Sequence, residues 1–167
     1  MAITIKRATP ADAAILLDFL KQAGSETNNL TFGAEGLPFS VESEEQFLRS
    51  IEHSTDEFML VAKDNNKVVA NASLSRLPRR MQHRGDFSVA VLKDYWNRGL
   101  GSQLLREVIT FAKEHDFSII DLQVRSDNLS AIHVYEKHGF KKIGTRPAFF
   151  KINDTDVSFD YMYLKIN

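Results

Sequence analysis

Tyr95-Trp96-Asn97-Arg98-Gly99-Leu100-Gly101-Ser102-Gln103-Leu104-Leu105 is the stretch that decides how this chain is read. It follows an alternating apolar run from Phe87 to Leu92, the pattern of a strand. It opens an amphipathic run with Leu104, Leu105, Val108, Ile109 and Ala112 at helical spacing. Gly99 and Gly101 fall at the turn between them. With no Cβ in the way, backbone amides there can come close to an anion. The first turn of a helix leaves N–H groups unpaired and carries partial positive charge. A strand-turn-helix of this kind is a ready site for a phosphate or pyrophosphate.

Two familiar phosphate motifs do not fit. The dinucleotide fingerprint G-x-G-x-x-G loses its third glycine, because Leu104 stands there. The P-loop needs a Gly-Lys pair, and the chain contains none. A bare G-x-G also occurs in ordinary turns that bind nothing.

A second segment follows: Asn128-Leu129-Ser130-Ala131-Ile132-His133-Val134-Tyr135-Glu136-Lys137-His138-Gly139-Phe140. Together the two segments resemble the GNAT N-acetyltransferase superfamily. Its acyl-CoA motif reads [QR]-x-x-G-x-[GA], and its next motif reads roughly N-x-x-A-x-x-x-Y-x-x-x-G-F. Asn128, Ala131, Tyr135, Gly139 and Phe140 fill every named place of the second motif. Gly99 and Gly101 fill two places of the first, and Trp96 stands where Gln or Arg is usual. The resemblance extends more loosely from Ile3 to Leu164. It implies acetyl-CoA as cosubstrate and an amine as acceptor, without naming the amine.

Composition sets outer bounds. The 167 residues are expected to form a single N-acetyltransferase domain over 1–167, with length enough for a real core. Hydrophobic residues make up 43% and charged residues 26%, an ordinary globular composition. A net charge of −1 gives no pull toward nucleic acid or an anionic membrane, so neither is expected as a partner. The absence of cysteine excludes a disulfide framework, a thiolate metal site and a cysteine nucleophile, and it suits a cytoplasmic setting. The histidines show no metal-ligand spacing, so no metal is expected. No apolar run approaches the ~20 residues that span a bilayer.

A pass along the chain gives the order β-α-α-β-β-β-α-β-α-β-β. Ile3–Arg7 alternates as a strand, and Thr9-Pro10-Ala11-Asp12 reads as a helix start. Gly24–Ser40 reads as a long loop or short irregular helix, and Val41–His53 as a second helix. Strands are expected at Phe58–Ala62, Val68–Leu77 and Arg84–Leu92, then a helix at Gly99–His115 and a strand at Ile119–Val124. A helix at Asn128–Lys137 stops at Gly139, and Phe140–Phe150 and Val157–Leu164 close the sheet. The strands before Gly99 and at Ile119–Val124 are joined through a helix and should run parallel. The fold class expected is α/β (α+β): a mixed, mostly antiparallel sheet flanked by helices. The resemblance adds that the two parallel strands splay apart to admit the pantetheine arm.

Chemistry can then be assigned. Acetyl transfer needs a held thioester, a neutral amine, a stabilised oxyanion and a proton for the leaving thiolate. Amides from Asn97, Arg98, Gly99, Leu100, Gly101 and Ser102 would hold the pyrophosphate, with the Arg98 side chain as added positive charge. The resemblance implies that backbone near Val89 and Val91 pairs with the pantetheine and supplies an oxyanion donor, worth ~3 kcal/mol in the transition state. It also implies that Asn128, the expected N-cap, contacts the cofactor. With the resemblance, Tyr135 becomes the expected proton donor: a phenol of pKa ~10 is protonated at neutral pH, whereas a thiol titrates near ~8.5. A packed aromatic is the bland alternative for Tyr135. Asp86 is the first candidate for the general base, ahead of His83, Glu26 and Glu35. Glu26, Phe32 and Glu35 belong to the Gly24–Ser40 loop, which the resemblance implies is a wall of the acceptor site. Arg76, Arg79, Arg80, His83 and Arg84 form a basic connection, read as a solvated loop or a rim for an acidic substrate. The rival readings are transfer to a protein N-terminus and a silent acyl-CoA sensor. Homodimerisation would have the C-terminal strands as one candidate edge.

Overall fold

Alternation along Ile3–Arg7 (β1) gives each face of the sheet its own residue from the start. Arg7 turns to one face, where its guanidinium lies over Phe58 and Phe111 at 5.2 and 5.5 Å. Lys6 turns to the other and reaches the buried carboxylate of Asp12, which Lys63 also pairs. The computed structural model describes residues 2–166. After β1 come Ala13–Glu26 (α1), Val41–Ile51 (α2), Glu57–Asp64 (β2), Lys67–Arg76 (β3) and Arg84–Val91 (β4). Leu100–Glu114 (α3), Ile119–Arg125 (β5), Leu129–Lys137 (α4), Lys141–Ile152 (β6) and Thr155–Lys165 (β7) complete the chain. The expected element order is the observed one. Among the described residues no helix is long and apolar enough to cross a membrane.

The seven strands form one sheet in the order β1-β2-β3-β4-β5-β7-β6. Every neighbouring pair is antiparallel except β4 and β5. That parallel pair holds together over only three positions, Arg84↔Ile119, Gly85↔Ile120 and Asp86↔Asp121. Beyond Asp86 and Asp121 both strands run on without pairing to each other, so the sheet is split there. Gly85 makes the closed end of the split tight. A Cβ on it would come within 2.7 Å of both Leu74 and Phe117.

Leu104, Leu105, Val108, Phe111 and Ala112 bury the expected face of α3 against the sheet, and Phe111 stacks on Phe58 at 4.0 Å. Each of the four larger side chains stabilises by roughly 1.5–3 kcal/mol on burial, and Ala112 by less. Ile109 is only partly buried, and Phe111 takes the deeper place.

Two sequence expectations shift. Pro10–Asp12 forms a separate 3-10 turn before α1, with the Asp12 carboxylate accepting from the Thr9 amide at 2.8 Å. α1 also runs through Gly24 to Glu26, although Gly24 looked like the beginning of a loop. The reason is close approach: a Cβ at Gly24 would lie 2.0 Å from the Gly33 carbonyl oxygen. The glycine serves the loop that crosses it, not the end of the helix.

Candidate active site

The split has two walls, and hydrogen-bond alternation shows what each presents. The Leu92 amide donates to the Val69 carbonyl at 2.9 Å, and the Leu77 amide donates to the Arg84 carbonyl at 2.9 Å. In an antiparallel ladder this directs the backbone groups of even-numbered β4 residues toward β3. Those of Phe87, Val89 and Val91 therefore face the slot. On the opposite wall, the Ser126 amide donates to Ser158 and the Ile166 amide to Ser118, at 2.9 and 2.8 Å. Even-numbered β5 residues thus face β7, and the backbone of Gln123 and Arg125 faces the slot. An extended chain carrying amides can pair with such an edge. One slot-facing acceptor is already engaged: the Trp96 indole Nε1 donates to the Val91 carbonyl at 2.8 Å.

The β4 wall continues into the glycine turn. Asn97 and Gly99 are both left-handed, at φ 59° and 77°. The first backbone hydrogen bond of α3 runs from the Gln103 amide to the Gly99 carbonyl at 3.0 Å. The amides of Leu100, Gly101 and Ser102 therefore precede the ladder. A Cβ built on Gly99 or Gly101 would meet nothing within 4 Å, so the turn faces open space. The approach to it is clamped from outside. Glu26 accepts from the Lys93 amide at 2.7 Å, and the Tyr95 hydroxyl donates to Asp64 at 2.7 Å. Arg98 lies 5.2 Å over the Tyr95 ring.

Asn128 caps α4, its side chain accepting from the Ala131 amide at 3.3 Å. Gly139, at φ 96°, ends that helix as expected. Tyr135 is the buried residue of α4, only 8% exposed. It packs edge-on to Phe87 with centroids 6.3 Å apart and lies 5.7 Å from Phe140. Phe87 belongs to the β4 wall, so Tyr135 stands beside the slot. Burial pushes its phenol up to about 12.

Asp86 occupies the last rung at the closed end, opposite Asp121. Its side chain turns to the face opposite Phe87. Although its tip meets solvent, the protein packed around it raises its pKa, and the Asp121 carboxylate raises it further. Asp121 is held by Arg84 through two bonds of 2.7 and 2.6 Å. Arg76 is also engaged, with Asp56 at 2.7 Å and the His115 carbonyl at 2.7 Å. Arg79 and Arg80 remain exposed on a 3-10 turn.

The loop 27–40 stands over the β5 side, tied there by Arg125 donating to the Asn28 carbonyl at 3.1 Å. Glu26 ends α1 and has both oxygens occupied, by Gln22 and the Lys93 amide. Phe32 packs partly into the core beside Gly24. Glu35 is exposed; the Gly33 amide donates to it at 2.9 Å, and backbone hydrogen bonds hold its pKa below the ordinary carboxylate value.

The structure thus brings Val89, Val91, Asn97, Arg98, Gly99, Leu100, Gly101 and Ser102 onto one continuous wall, with Tyr135 beside it and Asp86 at its closed end. Sequence reasoning passed over Asp121, which perturbs Asp86, and over the indole N–H of Trp96. Asp121 carried one signal, a lone acid in an apolar strand.

A split sheet, an amide turn facing open space and a phenol beside the slot form an opening with room for an extended ligand and unpaired donors for an anion. The chain belongs to the Acetyltransferase (GNAT) family, whose family model matches residues 26–140. The fold superposes on the crystal structure of an acetyltransferase of GNAT family from Streptococcus pneumoniae with a TM-score of 0.94. The two are 31% identical, over 99% of this chain and 100% of that one. The chain is also 31% identical to the N-alpha-acetyltransferase RimI of Mycobacterium tuberculosis, over 57% of this chain and 59% of that protein. It is 36% identical to the L-amino acid N-acetyltransferase AaaT of Escherichia coli, over 62% of this chain and 65% of that protein. These matches span somewhat under two thirds of each curated relative.

Proposed function

We propose that this protein transfers the acetyl group of acetyl-CoA to a primary amine by direct attack in a ternary complex. The observation that carries the reading is the run of unpaired β4 backbone at Phe87 and Val89, leading from the Gly99–Gly101 turn to the flank of Tyr135. Bound acetyl-CoA would supply an activated thioester. Amides of residues 97–102 fit its pyrophosphate, because open space lies before Gly99 and Gly101 and the first turn of α3 leaves donors free. Backbone groups of Phe87 and Val89 fit the amides of its pantetheine arm.

The chemistry then falls to named groups. The amine nitrogen bonds to the thioester carbon and the carbon–sulfur bond breaks. The slot-facing amide of Val89 is the oxyanion donor. Asp86 takes the proton that the ammonium must lose before it attacks. Tyr135 gives its proton to the leaving sulfur, and the second proton that the nitrogen sheds on becoming an amide returns to the phenolate through solvent. A phenol near 12 is a weak acid toward a thiolate of ~8.5 in water. The same burial raises the pKa of a thiol formed beside it, which narrows the gap. The raised pKa of Asp86 makes it a better base than an ordinary carboxylate.

The acceptor reading rests on relatives named an N-alpha-acetyltransferase, a ribosomal protein bS18 alanine N-acetyltransferase and an L-amino acid N-acetyltransferase. An α-amino group, free or at a peptide terminus, is therefore the acceptor of first choice. Acetyl-CoA consumption measured over amino acids, peptide N-termini, polyamines and aminoglycosides tests this. Turnover with at least one amine is expected, and CoA should raise the melting temperature far more than NAD or ATP. No turnover with any of these amines, despite CoA binding, would make the protein an acyl-CoA sensor.

A further inference from the structure

Trp96 is the only tryptophan in the chain, and it is 38% exposed. An exposed indole on a turn ordinarily needs no explanation. This one has a specific bond. Its Nε1 donates at 2.8 Å to the Val91 carbonyl, which faces the slot and has no strand partner there. The turn between has its own backbone bonds, Tyr95 amide to Leu92 carbonyl at 2.9 Å and Trp96 amide to Lys93 carbonyl at 3.1 Å. The clamps from Glu26 and Asp64 grip the outside of the turn. The indole bond instead ties the turn to a backbone group of the slot wall itself.

We infer that Trp96 is a positioning residue: its indole N–H fixes the span between the slot edge at Val89 and the amide turn at residues 97–102. This rests on the acetyl-CoA reading above. A donor that grips both places gains most when the distance between them is set before it binds. Gln, Arg and Trp, the residues that meet at this motif position, share one chemical property, a side-chain N–H donor. On this reading the departure at Trp96 keeps a side-chain N–H donor at the position.

The test compares acetyl-CoA with acetyl-pantetheine, which reaches the slot but carries no pyrophosphate. Trp96→Phe keeps the ring and removes the donor; Trp96→Gln restores an N–H. Trp96→Phe should lower kcat/KM for acetyl-CoA about 3- to 10-fold, the range of one hydrogen bond. For acetyl-pantetheine, which does not span the two places, it should leave kcat/KM within about 2-fold, and Trp96→Gln should keep the parent ratio. An unchanged ratio in Trp96→Phe, or an equal loss with both donors, overturns the inference. Calorimetry on the parent with CoA comes first. Absence of binding overturns the acetyl-transfer reading and this one together, whereas binding with an unchanged ratio overturns this one alone. A check free of variants uses the single indole N–H resonance, which should exchange slowly with solvent and more slowly still with CoA bound. Free exchange in both states would also overturn it.

Discussion

The β4 wall and the loop 27–40 flank the same slot but are made of different material. The wall is backbone: Phe87 and Val89 offer amides and carbonyls, Val91 offers its amide while Trp96 holds its carbonyl, and the Gly99–Gly101 turn offers more amides. The loop offers side chains, Phe32 and Glu35, on a frame held by Arg125 and by the close crossing of Gly33 over Gly24. Backbone recognition depends on geometry that many sequences can supply, so it suits a donor that stays constant. Side-chain recognition changes with each substitution, so it suits an acceptor that differs between relatives.

The sharpest way to break this contrast is at Gly101. A Cβ there meets no protein atom within 4 Å, so Gly101→Val should fold, with the added bulk lying in the space assigned to the pyrophosphate. Losing several charge-assisted hydrogen bonds should weaken CoA at least about 1000-fold. A folded Gly101→Val with normal CoA affinity, measured by calorimetry, would move the phosphate site elsewhere. Next comes Tyr135→Phe, which keeps the contacts with Phe87 and Phe140. It should lower kcat roughly 10- to 1000-fold and leave CoA affinity nearly unchanged. An unchanged kcat with chemistry rate-limiting would return Tyr135 to packing.

Asp86→Asn sharpens the comparison at the closed end. As a base, Asp86 works only when ionised, so kcat should rise as pH climbs through its pKa. Desolvation by the protein packed around it and the Asp121 charge raise that limb above the ordinary carboxylate value. The variant should lose about 10-fold or more in kcat and lose this limb. A pH profile identical to the parent's would assign the limb to another group. The smallest effects belong to the loop. Glu35→Gln and Phe32→Ala should raise the acceptor KM a few-fold, about what one contact is worth, with the acetyl-CoA KM unmoved. Unmoved acceptor kinetics in both would direct attention to exposed Arg79 and Arg80.

What could be read from the sequence follows the same division. Strand and helix order came from local alternation, the glycine turn from spacing, and the role expected of Tyr135 only from the family resemblance. Val89 and Val91 were placed on a strand by their pattern, but nothing local says that β4 and β5 part company after three pairs. That depends on how two distant segments meet. Gly24 misled for a related reason: its neighbours along the chain suggested an ending, while its neighbour in space, Gly33, required a residue without a side chain. The Trp96 bond was invisible because it needs the chain to fold back from the turn onto Val91.

The short pairing between β4 and β5 also has a mechanical meaning. The sheet is two leaves, β1–β4 and β5–β7, joined by a narrow spine at Arg84–Asp86 and Ile119–Asp121. Tyr135, carried by α4, leans across from one leaf onto Phe87 of the other. A spine so short is the natural line along which the molecule would flex or tear. A ligand lying in the opening and touching both leaves would act as a staple across that line, and its effect on rigidity would exceed what its own contact area suggests. Amide hydrogen exchange along the spine should therefore be among the most responsive in the molecule to whether that opening is filled.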